Sequence, residues 1–171
     1  MSSDGDGEIV HRLCTALAAP AAEVSPTDFH NSVHNAATGY WSIGAHSSAP
    51  STALCAYDGS FAAGLLEAAC QITTEARRVL LVAVDLPYPA PLAVHRPVRH
   101  GFAAALALEE GSQLEISLGD GKASPLPAGL ESFEGNAAAA CLPLLLALAR
   151  PGDAVVRLPL ADAVLQVRKS G

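Results

Sequence analysis

Residues 51 to 70 read Ser-Thr-Ala-Leu-Cys-Ala-Tyr-Asp-Gly-Ser-Phe-Ala-Ala-Gly-Leu-Leu-Glu-Ala-Ala-Cys, a strand-like run that meets a helix-like run at Asp58-Gly59. An abrupt strand-to-helix turn exposes the side chain at its apex and aims a helix N-terminus at it, which suits nucleophilic attack and oxyanion stabilisation. Here the apex is an aspartate. Carboxylates form covalent intermediates in some enzymes, but an acyl-aspartyl anhydride is an energetically costly way to hold an acyl chain. The plainer role for Asp58 is to cap the following helix by accepting its first amide bonds. An acid-base or pocket role is the remaining option.

Other residues carry chemistry at suggestive spacings. His30 and His34 stand four apart on a predicted helix, one face of which could present both to a metal. No Glu follows His30 as the H-E-x-x-H pattern needs, and His46 is a poor third ligand, so the pair is a weak metal candidate. It is read instead, with Asn31 and Asn35, as satisfying buried polar groups where two helices meet. His95, Arg96, Arg99 and His100 form a small basic cluster that could meet a phosphate or an acidic protein, since arginine suits phosphate geometry. A solvated loop is the simpler account of it. Tyr40-Trp41 holds the chain's single tryptophan and is either a core anchor or an interface hot spot. Cys14, Cys55, Cys70 and Cys141 show no C-x-x-C spacing and are read as reduced core residues.

The elements that must position these groups belong to a chain of 171 residues, half of them apolar, enough for one compact core. Alanine dominates the apolar half, which favours close helix-on-sheet packing. Ten Lys plus Arg against seventeen Asp plus Glu give a net charge of −7, the wrong sign for binding nucleic acid or an anionic membrane. The apolar runs are too short or too interrupted to span a bilayer. The acidic N-terminus has no signal-peptide pattern, so a cytoplasmic location is expected.

Asp4 or Asp6 caps a predicted helix to about Leu17, with Ile9, Leu13 and Leu17 on its buried face. Ser25 and Pro26 open a second segment through His34, and Asn35 to Ile43 is a further helical turn interrupted at Gly39. Pro50 to Tyr57 is predicted as a buried strand and Ser60 to Thr73 as a helix with Ala62, Leu65, Leu66 and Ala69 inward. Val79 to Val84 is the clearest strand, apolar throughout and therefore expected to be covered on both faces. After a proline-rich loop from Pro87 to Val98, Ala103 to Leu108 and Gln113 to Leu118 read as a hairpin. A surface connection from Gly119 to Gly135 leads to a helix over Asn136 to Arg150. Ala154 to Leu158 and Ala163 to Val167 form a closing strand pair. No repeat or linker divides the chain.

Ser25 to Ile43, then Ala49-Pro-Ser, then the turn and its helix resemble the N-terminal half of a β-ketoacyl synthase of the thiolase-like superfamily. More narrowly they are similar to the small ketosynthase-like proteins of aryl-polyene pathways, chain-length-factor-type partners of a full ketosynthase. The resemblance covers most of residues 4 to 110 and is densest over 25 to 70. It implies an α/β thiolase-like half domain with layered helices and a mixed sheet, one domain over 1–171, with the family's first strand expected to be missing.

Two departures follow from the resemblance. Ketosynthases carry a cysteine at the apex, where this chain has Asp58, and Cys55 lies three positions back along the strand, where it cannot present its sulfur at the same spot. They also need histidines and a lysine from a C-terminal half that lies beyond this sequence. The expected function is therefore a non-catalytic subunit, not an enzyme by itself. It would pair with an active β-ketoacyl synthase and shape the pocket for a polyene or fatty acyl chain of polyketide or fatty acid biosynthesis. Tyr57, Asp58, Phe61, Tyr40, Trp41 and Asn35 are its tunnel or interface candidates. Acyl carrier protein would be an indirect partner, and no cofactor is expected. The alternatives are an independent acyltransferase or thioesterase using Asp58 with His30 or His34 as base, and a homodimer that binds no acyl chain.

Overall fold

A computed structural model describes residues 5–171, so Asp4 as a helix cap lies outside the described residues. Asp6 takes that role: its carboxylate accepts the amides of Glu8 and Ile9, each at 3.0 Å, and opens α1 (Gly7–Ala18). Ser25 caps α2 (Pro26–Asn31) by accepting the Asp28 amide at 3.3 Å, with proline in the first turn, where its missing N–H is not needed. α3 (Ala36–Gly44) runs without a break through Gly39, whose position has nothing within 4 Å to interrupt it.

None of these three helices buries a residue; Ile9 and Leu13 are half-covered and Leu17 is exposed. Polar ties hold the layer together. Arg12 bonds both oxygens of Asp28, at 2.8 and 3.3 Å, and holds that carboxyl below its usual range. The Tyr40 hydroxyl donates to Asn31 Oδ1 at 3.0 Å.

The core gathers around α4 (Ser60–Glu75), whose Phe61, Ala62, Leu65, Ala68 and Ile72 repeat at helical spacing on one buried face. Leu66 and Ala69, predicted inward, sit at its half-covered edge. α4 packs against β1 (Val79–Asp85), β4 (Ala154–Leu160) and β5 (Ala163–Lys169), with Cys141 and Leu144 closing the cluster. Burial pushes the Cys141 thiol up to about 11.

The strands form two antiparallel sheets in place of the mixed sheet expected. β1 pairs with β2 (Phe102–Leu108), and the second sheet has the order β3 (Leu114–Gly119), β5, β4. The reason lies in the connections: β4 and β5 are joined by a tight turn at Ala161-Asp162, and β1 returns as β2 without a long crossover helix, which a parallel neighbour would need.

Other expectations change as well. Residues 51–56 form no ladder with any strand among the described residues; they run beside α4, where Gln71 Nε2 donates to Thr52 Oγ1 at 3.3 Å. β2 and β3 do not make a hairpin. Each turns its large apolar residues, Leu106 and Leu108 or Leu114 and Ile116, to the shared core from a different sheet. The helix over 136–150 is a 3₁₀ turn (Ala139–Cys141) followed by a helix (Leu142–Leu148) with Pro143 in its first turn. Of the cysteines only Cys141 is buried; Cys55 is half-buried and Cys14 and Cys70 are exposed, because the helices that carry those two turn them to solvent. Among the described residues α4 covers one face of β1, while on the other face Leu80 and Val82 are exposed and Val84 is half-buried at a cavity wall.

Candidate functional site

Residues 57–59 form a single 3₁₀ turn between the extended segment and α4. Tyr57 is its strained member, with φ of +52°, a left-handed conformation that is unfavourable for a bulky residue. Three arrangements hold it there. The Ser60 hydroxyl accepts the Ala56 amide at 2.9 Å and donates to the Tyr57 carbonyl at 2.6 Å. Gly59 sits so close to the β4–β5 turn that a Cβ would lie 3.3 Å from the Ala161 nitrogen and the Leu160 Cα, so a side chain there would crowd that backbone.

The third arrangement is Arg96. Its guanidinium carbon lies 3.8 Å from the centre of the Tyr57 ring, and Nη2 donates to Asp58 Oδ1 at 2.8 Å. Planar guanidinium suits both the aromatic face and the carboxylate. Burial lowers the Arg96 pKa, but the hydrogen bond to Asp58 and the contacts with Tyr57 outweigh it and raise it above its ordinary value. Asp58 thus answers a distant arginine, and among the described residues no side-chain cap closes the N-terminus of α4. The solvated-loop reading holds for His95, Arg99 and His100, which are exposed, but not for Arg96, whose side chain is only 11% exposed.

A cavity of about 490 Å³ lies beside the segment that leads into this turn. One wall is the approach to the elbow, Ala53, Leu54 and Cys55; another is the α2–α3 region, with Val33, Ala36, Ala37 and Tyr40. The start of α1 and the end of β1, continuing through Leu86, Pro87 and Tyr88, complete it. Its lining is mainly aliphatic and aromatic, with Asn31, His34 and a few carboxylates at intervals, the composition of a site for a largely apolar ligand.

The candidate residues separate. Tyr40 is on the cavity wall, whereas Phe61 lies in the core at 1% exposure. Tyr57 and Trp41 are exposed, and Asn35 is exposed at the start of α3 without a capping side-chain bond. His30 and His34 are exposed rather than buried between helices, and His34 borders the cavity. Among the described residues no group of three or more His, Cys, Asp or Glu is placed to hold a metal ion.

Two buried residues near the cavity escaped sequence reasoning. Asp85, at the end of β1, accepts the Ala137 amide at 3.1 Å, and Asn136 donates to the carbonyls of Asp85 and His100 at 3.2 and 3.0 Å. Asn136 Oδ1 also accepts the amides of Ala138 and Ala139 at 3.0 Å each. The available signal was a polar residue at the end of one apolar run and at the start of another.

The layered helices, the paired sheets and an elbow leading into a buried helix make this an α/β protein, and its likeness to a solved ketosynthase structure gives the class as a thiolase-like ketosynthase fold. That structure, of the ketosynthase ApeO in complex with its chain length factor ApeC, from Xenorhabdus doucetiae, contains a chain similar to this one with a TM-score of 0.71. The two are 25% identical over 98% of this chain and 67% of the other. The sequence matches the family described as β-ketoacyl synthase, N-terminal domain, over residues 1–150, and the chain belongs to that family. A search of the curated proteins found no match.

Proposed function

We propose that this chain is a non-catalytic, chain-length-factor-type subunit that pairs with an active β-ketoacyl synthase and supplies part of the wall around a growing polyene or fatty acyl chain. The observation that carries this is the largely apolar cavity walled in part by Ala53 to Cys55, the segment that leads into an elbow whose apex, Asp58, is bound by Arg96. An ion-paired carboxylate gives no route to a stable acyl-enzyme, while an apolar recess limits by its volume how much chain it can hold. Ala36, Ala37, Ala53 and Tyr40 would set that limit. The partner would provide the nucleophile and the dock for acyl carrier protein, since this subunit is itself acidic. The similar structure is a ketosynthase bound to its chain length factor, which supports a ketosynthase as that partner. A cytoplasmic, cofactor-free role fits the same reading.

The α2–α3 region carries the exposed aromatic residues Phe29, Tyr40 and Trp41, and we assign the partner contact to it. Coexpression with a cognate full ketosynthase followed by size-exclusion chromatography tests the pairing. A stable heterodimer is expected, and Trp41→Ala should weaken it by about 2 kcal/mol or more, the range of an interfacial aromatic hot spot. A chain that migrates as a stable monomer beside a fully active ketosynthase contradicts the proposal.

A further inference from the structure

The geometry points to Arg96 as a positioning residue, a clasp that ties the elbow to the β1–β2 connection, two segments whose neighbouring stretches form walls of the cavity. One wall, Ala53 to Cys55, leads directly into the elbow; the other, Leu86 to Tyr88, begins the connection between β1 and β2 that carries Arg96 further on. Through Arg96 that connection grips Tyr57 by ring stacking and Asp58 by a charged hydrogen bond. The other elbow contacts described above, from Ser60 and against the β4–β5 turn, tie it to α4 and the second sheet, and neither reaches this connection.

Two local penalties meet at the clasp. Tyr57 is left-handed, and Arg96 Nε is buried without a hydrogen-bond partner among the described residues. Strain and unsatisfied donors persist together where surrounding structure imposes a position that matters. Arg96 is nearly covered while Asp58 is 64% exposed, so the grip can be weakened from the solvent side without disturbing the core. As a control on entry to an acyl-chain recess, the clasp rests on the proposed function; as a tie between two walls, it stands on the contacts alone.

Cys55 on the cavity wall supplies a reporter that needs no acyl ligand. Iodoacetamide labelling of the full chain, resolved peptide by peptide, would be compared for wild type, Asp58→Asn, Arg96→Ala and Arg96→Lys. Loss of a charge-assisted bond of this kind should speed Cys55 labelling about tenfold in Asp58→Asn and Arg96→Ala. The rates at exposed Cys14 and Cys70 and at buried Cys141 should not change. Arg96→Lys, which keeps the charge and loses the planar stack, should fall between. Unchanged Cys55 labelling in folded Asp58→Asn overturns the clasp, as does a parallel rise at Cys141, which would report general loosening. Either result leaves the chain-pocket proposal standing, whereas that proposal fails on partner binding with the clasp intact.

Discussion

Arg96 and Asp58 are 38 positions apart, and their pairing decides what the elbow can do. The sequence made Asp58 legible because a strand-like run, Asp-Gly and an amphipathic run follow one another. It marked Arg96 only as part of a basic cluster and not as the partner of Asp58, since a side-chain ion pair between two irregular segments leaves no periodic trace. The same holds for Asp85 and Asn136, whose contact joins residues 51 apart. Asn136 satisfies two carbonyls and two amides in the interior, so Asn136→Ala leaves several buried groups unpaired. The loss should be about 1–3 kcal/mol or more, read as a lowered midpoint in urea with the slope unchanged.

At the scale of elements, α4 and β1 were readable because each combines the right period with the right length. Their surroundings were less so. Continuous apolarity over Val79–Val84 suggested two covered faces, yet Leu81 and Ala83 meet the core while Leu80 and Val82 face outward. Apolar character records that a face can be buried, not that something lies on it. Likewise the alternation in β2 and β3 marked both as strands but could not choose their neighbours. Leu81→Ala should therefore cost about 2–5 kcal/mol, as for other buried leucines, and Leu80→Ala about 0.5 kcal/mol or less. Thermal melts of the two variants check this, and equal losses would mean the outer face is covered in solution.

Across the molecule, a dense core of α4 and two sheets supports a looser layer, α1 to α3, held by polar ties and bearing exposed aromatic residues. The cavity lies between that layer, the segment leading into the elbow and the end of β1. This arrangement suits a subunit whose contribution is shape: a rigid frame on one side, a contact layer on the other, and a recess between. Family membership is consistent with that frame, and the non-catalytic role proposed above rests on Asp58 at the apex. The most direct test enlarges a wall residue and reads the products of the assembled complex. Ala36→Phe fills part of the recess at the start of α3. With a coexpressed ketosynthase and acyl carrier protein, the variant should yield shorter acyl products than wild type at a similar rate of first condensation. An unchanged distribution of chain lengths, from a complex that forms normally, would contradict a role for this cavity in bounding the chain.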